Sequence, residues 1–234
     1  MVILYVLFVL TLFISTSSIA YFSAKTKRAD FITAFYILYI TLSQILATKV
    51  ASFGPIVAPA AVLLYPFTYQ LTDTMNEHFG KKETYRMIFI AFISQILFFI
   101  FMEMGIRVET SPFFGYTEWE SIFSQTFGIT AASWISFLIT ENLDAFAYAK
   151  LKDKYKEKGL WIRSVLSDVP MLAMDSFIFV FLAFGLFDWP INWPFVWDLM
   201  LGQLWTKWIF GVVDTPFLYL DRYIWRIVSR TNMD

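Results

Sequence analysis

The sequence predicts an all-α polytopic membrane protein, a bundle of about seven transmembrane helices with the N-terminus outside and the C-terminus cytoplasmic. Three observations support this fold class. The 234-residue chain is 58% hydrophobic and only 16% charged, whereas soluble domains carry roughly 25% charged residues. Its apolar residues fall in runs of about 20, long enough to cross ~30 Å of hydrocarbon. Its basic residues are concentrated in alternate loops.

Seven hydrophobic segments are separated by polar loops, and each predicts a spanning helix. The first lacks a basic leader and is too long for a signal peptide, so it is expected to be retained. A single transmembrane domain therefore covers residues 1–234, with an extra N-terminal helix over 1–24 and a core over about 31–220. The predicted spans are Val2–Phe22, Phe31–Val50, Ile56–Met75, Thr84–Ile106, Phe127–Ala149, Ser164–Phe187 and Phe195–Leu220.

The orientation follows from the basic residues. The loops after the first, third, fifth and seventh spans, with the first turn that follows each loop, contain 15 of the 18 lysines and arginines. The other side of the membrane receives Lys49 and Arg107, and Lys207 falls within the seventh span. Because short cytoplasmic loops are enriched in Lys and Arg, the N-terminus is predicted outside. A wrong helix count would have scattered these charges over both sides.

Composition also excludes several kinds of chemistry. The chain has no cysteine and a single histidine, His78, which excludes disulfides, thiolate chemistry and multi-histidine metal sites. The net charge is −1, and the sequence contains no basic domain that could bind a nucleic-acid backbone. The longest loops, of about 14–20 residues, are too short for a separate catalytic domain. We expect a multi-pass cell-membrane protein that is not an enzyme and needs no metal or cofactor.

Six of the charged residues within the predicted spans are candidates for a polar site in the interior. A charge at the centre of a membrane helix costs about 2.5–3.5 kcal/mol on insertion scales, so such residues usually face a polar cavity and mark a substrate or ion path. The six residues in this chain are Asp73, Glu141, Asp144, Asp175, Lys207 and Asp214. The last of them is too close to the inner end of the seventh span to be assigned to such a cavity.

Spans five to seven supply the candidate binding residues. Asp175 and Lys207 lie near the midpoints of spans six and seven. The inner half of span five adds Glu141, Asn142 and Asp144. A Lys207–Asp175 ion pair that only holds the helices together is the structural alternative, but buried pairs add little net stability after desolvation. We therefore expect this group to bind something polar.

Short patterns recur between spans. Ser133 precedes Asp144 by 11 residues, and Ser164 precedes Asp175 by the same 11, on helices that must run in opposite directions. Inverted repeats with a site at their interface are known in membrane transport proteins, but a match this short also arises by chance, and both explanations stay open. Spans two and four share a weaker Ser-Gln-Ile-Leu segment, at 43–46 and 94–97.

These segments resemble the queuosine precursor transporter family, also called the vitamin uptake transporter family. The resemblance covers about residues 40–220 and is most specific in span three. It implies a transporter that imports a 7-deazaguanine precursor of a modified tRNA base, such as preQ0, preQ1 or a similar heterocycle. The matching segments are Ala47-Thr48-Lys49, Tyr65-Pro66-Phe67-Thr68, Leu71-Thr72-Asp73, Asn76-Glu77, Gly80-Lys81-Lys82, Leu143-Asp144, Asp175-Ser176, Lys207, Thr215-Pro216 and Tyr219.

The resemblance also implies roles for the polar residues. A deazaguanine offers N–H donors to carboxylates and a carbonyl oxygen to a lysine or amide. The expected partners of the donors are Glu141, Asn142, Asp144 and Asp175, and Lys207 is expected to meet the acceptor.

A second group is expected to form a gate or coupling site, since its members in span three share a helix face. It consists of Asp73, Asn76, Glu77 and Lys49. Family members often carry Gln three residues before each helix aspartate, where this chain has Glu141 and Leu172. The expected partners are a small heterocyclic substrate and membrane lipids, with a homodimer allowed and no nucleic acid.

Three other functions fit parts of the pattern. A substrate-binding subunit of a multi-component vitamin importer would need an ATPase partner. A retinal-type seven-helix photoreceptor shares the mid-membrane lysine, but Gln203 stands where retinal proteins carry an aspartate four residues before that lysine. A membrane phosphatidyltransferase would need a denser acidic cluster for Mg²⁺ than Asp73 and Glu77 provide.

Overall fold

The computed structural model describes residues 2–109, 127–156, 159–186 and 191–231. The all-α class is confirmed: these residues form seven α-helices and one two-stranded hairpin. A 3₁₀ turn, Ala60–Leu63, joins the hairpin to the third helix, and a π-helical turn, Phe181–Leu186, extends the sixth. The elements are α1 Val2–Thr26, α2 Asp30–Ala47, β1 Val50–Phe53, β2 Ile56–Pro59, α3 Tyr65–His78, α4 Lys81–Arg107, α5 Phe127–Tyr155, α6 Leu160–Val180 and α7 Trp193–Thr231.

Four segments are long and apolar enough to cross a membrane by length and composition. They are Val6–Thr26, Asp30–Ala47, Lys81–Arg107 and Leu160–Leu186. The helices α5 and α7 have 29 and 39 residues and are interrupted by charged residues. Large apolar side chains such as Phe89, Phe101 and Val212 are exposed on the outside of the bundle, as expected for contact with lipid.

The predicted third span, Ile56–Met75, is wrong in its first half. That half forms β2, which pairs antiparallel with β1, and the 3₁₀ turn that follows. Only then does α3 begin, and its 14 residues extend roughly 21 Å at 1.5 Å per residue. Because the hydrocarbon core is about 30 Å thick, α3 covers only part of the membrane depth. The predicted second span is also shortened, since β1 occupies its end at Val50.

Local chemistry explains the hairpin. Gly54 has φ +68°, a left-handed conformation that glycine adopts without steric cost. Pro59 has extended dihedrals and lacks the amide hydrogen that a helix interior requires. The hairpin packs against α7, and at Gly202 it comes so close that a Cβ would overlap the Val57 carbonyl oxygen. Of the eight strand residues, Ala58 and Pro59 are buried, and the other six are half-buried or exposed.

Three helix ends meet at one end of the bundle, which we call the inner end. Lys27, just after α1, donates to Ser229 Oγ on α7 at 2.6 Å. At the end of α3, His78 Nε2 lies 2.7 Å from Asp221 Oδ2 of α7, and its ring stacks on Trp225 with centroids 3.7 Å apart. The topology predicted from the basic loops places the ends of these three helices on the same side of the membrane, as observed. The assignment of this end to the cytoplasm stays a prediction.

The third helix is unusual because it is polar and yet buried. Every residue from Pro66 to Asn76 is buried, and the helix packs against α2, α4, α5, α6 and α7. Buried polar groups need hydrogen-bond partners inside the protein. The polar side chains of α3 therefore organise the interior described next.

Candidate functional site

A buried ion pair lies between α6 and α7. Lys207 Nζ donates to Asp175 Oδ2, and the two residues are 1% and 3% exposed. The other carboxylate oxygen, Oδ1, accepts from Tyr65 Oη at 3.1 Å and from Ser136 Oγ at 2.6 Å. Lys207 Nζ also lies 4.5 Å from the centroid of the Tyr65 ring, within cation–π range. Four helices thus hold the pair in one orientation.

The position of Tyr65 depends on where α3 begins. Tyr65 is its first residue, and Pro66 follows in the first turn, where a missing N–H costs no intrahelical hydrogen bond. Thr68 Oγ1 donates back to the Tyr65 carbonyl oxygen at 2.6 Å. The break between the hairpin and α3 therefore brings the tyrosine to the ion pair.

A cavity opens beside the ion pair toward the outer end of the bundle. Counted together with its open mouth, its empty space is about 510 Å³. Residues from α2, the 3₁₀ turn and α3 to α7 form its walls. Its aromatic walls are Tyr65, Phe137 and Phe179, and its neutral polar lining is Ser43, Gln44, Gln95, Ser133 and Gln203.

The polar lining has unused hydrogen-bonding capacity. Gln44 Nε2 donates to Gln95 Oε1 at 2.7 Å and to Ser133 Oγ at 2.8 Å. Gln95 Nε2, Gln203 Oε1 and Ser43 Oγ are buried without a hydrogen-bond partner in the described part of the chain. An unsatisfied buried polar group costs about 1–3 kcal/mol. A polar ligand in the cavity would remove that cost.

Glu141 lies beside α3, below the cavity. Its Oε1 accepts from Thr68 at 2.9 Å and its Oε2 from Thr72 at 2.8 Å. The residue is completely buried, and Tyr36 of α2 lies against it. Both carboxylate oxygens are therefore already engaged by the polar face of α3.

Three aspartate side chains meet nearer the inner end, and we call them the three-aspartate cluster. Oxygens of Asp73 on α3, Asp144 on α5 and Asp168 on α6 lie within 4.8 Å of one another. Ser164 and Ser167 donate to the two oxygens of Asp168 at 2.8 and 3.0 Å. Like-charged groups this close repel unless a proton or cation is shared between them. Their oxygens are the ligand type that hard cations prefer.

Basic side chains surround Glu77 at the inner end. Arg163 Nη2 lies 2.8 Å from its Oε2, Lys152 Nζ 3.9 Å from the same atom, and Arg222 Nη2 3.7 Å from Oε1. Tyr148 Oη also donates to Oε2 at 3.2 Å. These residues belong to α5, α6 and α7, so Glu77 ties the end of α3 to three other helices. We call this group the Glu77 cluster.

The end of α3 is also held through its backbone. Lys152 Nζ donates to the carbonyl oxygens of Asn76 and Glu77 at 2.8 and 2.6 Å. A cation there complements the exposed carbonyls and the dipole of a helix C-terminus. Asn76 Nδ2 in turn donates to the Ala145 carbonyl oxygen of α5 at 3.0 Å.

The predicted binding residues occupy three levels of the bundle. Asp175 and Lys207 face the cavity, and Glu141 is hydrogen-bonded to α3 below it. Asp144 belongs to the three-aspartate cluster nearer the inner end. The structure therefore brings Asp175 and Lys207 together but does not gather all five residues around one ligand-sized space.

Other predicted residues lie apart from the cavity. Asn142 is half-buried and donates to the Leu138 carbonyl oxygen of its own helix at 2.7 Å. Lys49 is exposed just before β1, at the opposite end of the bundle from the other three predicted gate residues. Its carbonyl oxygen accepts from the Ala60 amide at 2.7 Å. The side chain of Asp214 is outside the described part of the structure.

The recurring pattern of α5 and α6 has a geometric counterpart. Ser136 precedes Asp144 by eight residues, and Ser167 precedes Asp175 by eight. Across the two helices Ser136 donates to Asp175, and Ser167 lies beside Asp144. This reciprocal pairing is what a two-fold relation between antiparallel helices produces, and it favours the inverted-repeat interpretation.

Sequence reasoning missed several residues of the site. Gln44 and Gln95 are the glutamines of the segment shared by spans two and four, and this repetition was the available signal. Gln203 attracts notice only as a departure from retinal proteins. Arg163 and Asp168 lie near the predicted inner end of span six, where charges are expected to meet water, and nothing local distinguishes them from a loop.

The fold and the site define a multi-pass membrane protein with a polar intramembrane cavity. The chain belongs to the vitamin uptake transporter family: a family profile described as "Putative vitamin uptake transporter" matches residues 59–220. It is also similar to the "Probable queuosine precursor transporter" of Bacillus subtilis (strain 168), with 24% identity over 161 residues, 67% of this chain and 68% of the relative. No solved structure matches it significantly.

These comparisons confirm the family that the span-three segment resembles, and with it a multi-pass transporter of the cell membrane. The matched residues run from the end of β2 into the second half of α7. They include the ion pair, the three-aspartate cluster and every member of the Glu77 cluster except Arg222. Membership of a transporter family also argues against the interpretations as a photoreceptor or a phosphatidyltransferase.

Proposed function

We propose that this protein imports a 7-deazaguanine precursor of queuosine or archaeosine, preQ0, preQ1 or a similar heterocycle, and binds it in the cavity beside Lys207 and Asp175. The observation that carries the proposal is the buried ion pair facing a cavity whose amides are incompletely hydrogen-bonded. Family membership supports the transport activity, and the printed name of the Bacillus relative supports the substrate class.

The chemistry of the walls suits such a ligand. Asp175 accepts from ring or amino N–H groups, and Lys207 donates to the carbonyl oxygen, as charge-assisted hydrogen bonds do well in a low-dielectric interior. The aromatic rings of Tyr65, Phe137 and Phe179 line the same cavity and offer faces on which a flat heterocycle can stack.

The inner gate in this proposal is made by the end of α3. Asp73, Asn76 and Glu77 lie along the inner half of that helix, and the Glu77 cluster holds it to three neighbours. Release toward the cytoplasm then requires separation of α3 from α5, α6 and α7. Lys49, at the outer end, is assigned to the approach to the cavity and not to this gate.

The test is uptake of labelled preQ0 and preQ1 by cells lacking their own importer. We expect wild-type protein to restore uptake, and Asp175→Asn and Lys207→Met each to reduce it at least roughly tenfold, since every lost 1.4 kcal/mol of binding is a factor of ten. Asp153→Asn and Lys82→Met, which change exposed charges, serve as matched controls and should transport normally.

The double variant Asp175→Asn with Lys207→Met separates binding from packing. If the pair only holds helices together, removing both charges avoids an unpaired buried charge and should restore uptake. If the pair binds substrate, uptake stays low although the protein is folded. Uptake by liposomes containing this chain alone would distinguish a complete transporter from a binding subunit that needs an ATPase.

A further inference from the structure

The cavity is balanced in charge. Among its described lining residues the charged side chains are Asp175 and Lys207, and these two pair with each other. Glu141 lies nearby, but its oxygens are taken by the threonines of α3. The net charge of the lining is zero wherever the proton between Lys207 and Asp175 resides.

The remaining polar lining consists of neutral groups with unused capacity. Gln95 is 2% exposed, and its Nε2 lacks a partner among the described residues; Gln203 is 6% exposed, and its Oε1 likewise lacks one. The first offers a donor to the cavity and the second an acceptor. Two buried amides on different helices, α4 and α7, each leave one atom without a partner among the described residues, which suits a ligand that carries both an acceptor and a donor.

A ligand's charge matters strongly in such a site. A cation entering the cavity must either separate Lys207 from Asp175 or remain without a counter-ion among the described lining residues, and both are costly. An uncharged heterocycle of the same size meets neither cost. It gains the hydrogen bonds that the amides now lack.

We propose that Gln95 and Gln203 are specificity-determining residues, and that the cavity selects an uncharged planar heterocycle over one that carries a protonated amine. Gln95 Nε2 donates to an acceptor of the ligand, and Gln203 Oε1 accepts from one of its N–H groups. This inference rests on the proposed function and assigns its selectivity within the deazaguanines.

The test uses preQ0, whose side group is a neutral nitrile, and preQ1, whose side group is a primary amine protonated at neutral pH. Binding of each to the purified, full-length protein is measured by calorimetry. We expect preQ0 to bind at least roughly tenfold more tightly than preQ1. Gln203→Glu adds a carboxylate to the cavity and should shift this ratio toward preQ1 by at least about tenfold.

Two further variants complete the experiment. Gln203→Met removes the acceptor without adding charge, so it should weaken both ligands and leave their ratio closer to wild type than Gln203→Glu does. Gln95→Leu removes the donor from a different helix and should weaken preQ0 at least roughly tenfold. It keeps the test decisive if the glutamate variant does not fold.

The outcomes are distinct. Equal affinity of the wild-type protein for the two compounds, or an unchanged ratio in folded Gln203→Glu, would overturn the selectivity inference while leaving the transport proposal in place. Unchanged preQ0 binding in folded Gln95→Leu would overturn the role of that amide. Absence of binding to both compounds would instead contradict the proposed function itself.

Discussion

Gln44 on α2 donates a hydrogen bond to Gln95 on α4 at 2.7 Å, and both glutamines stand in the same short Ser-Gln-Ile-Leu segment of their helices. The same Gln44 nitrogen donates to Ser133 on α5 at 2.8 Å. Side-chain amides that bond across helices are an effective link in a membrane, where apolar surfaces give no preference for protein over lipid. This link forms one wall of the cavity.

We predict that the amide link is energetically coupled. Gln44→Leu leaves Gln95 and Ser133 with unpaired groups, so it should lower the free energy of unfolding by about 1–2 kcal/mol. The double variant Gln44→Leu with Gln95→Leu should lose less than the sum of the two single losses, with a coupling of about 0.5–1.5 kcal/mol. Thermal melting in one detergent measures all three. Simple additivity would contradict the link.

The Glu77 cluster should be a major stabilising contact. Glu77→Gln leaves Arg163, which is 1% exposed, as a buried cation without its carboxylate, at a cost of about 3–5 kcal/mol. We expect a clearly lowered melting temperature. Glu83→Gln is the matched control, because Glu83 pairs with Arg86 at 3.5 Å on an exposed surface, where such a pair contributes about 0–1 kcal/mol. Equal melting temperatures for the two variants would refute the assignment.

The packing of the hairpin against α7 should be sensitive to one methyl group added at Gly202. Gly202→Ala puts a Cβ into the carbonyl oxygen of Val57, and because the neighbour is backbone, relief requires the hairpin or α7 to move, at about 1–3 kcal/mol. Melting temperature and preQ0 uptake should both fall. Gly105→Ala is the control, since its added Cβ meets no atom within 4 Å and helix propensity favours alanine. A stabilising Gly202→Ala would mean that the hairpin packs elsewhere.

We predict that the three-aspartate cluster lowers the stability of the protein but is needed for transport. Asp168→Asn removes one of three carboxylates whose oxygens lie within 4.8 Å, so it should raise the free energy of unfolding by about 1 kcal/mol by relieving repulsion, while uptake falls. Asp153→Asn, on the exposed surface of the end of α5, should change neither. Melting curves and uptake are measured on the same preparations, and a destabilised Asp168→Asn would show that the group is held together by a stronger attraction.

Much of the architecture was predictable from the sequence. Long hydrophobic runs predict the all-α class, and the alternating basic loops group the helix ends that meet around Glu77 and His78. Both signals are properties of the chain read in order, since hydropathy and charge act segment by segment. The family resemblance was also accessible, because the span-three segment retains its polar residues in order.

The prediction failed where a long apolar segment is not one helix. Ile56–Met75 has the hydropathy of a span, but Gly54 and Pro59 admit a hairpin, and packing against α7 at Gly202 stabilises it. A hydropathy window cannot register this contact, because it lies about 145 residues away along the chain, in a neighbour that only the assembled bundle supplies.

The sequence established a membrane transporter with costly charges in its interior, because the cost of a charge in hydrocarbon depends only on the residue and its segment. Which charges meet was settled by the folded bundle. Lys207 pairs with Asp175, Glu141 with the α3 threonines, and Asp144 with two other aspartates. The rotation and depth of each helix determine these partners, and both follow from packing among all seven helices.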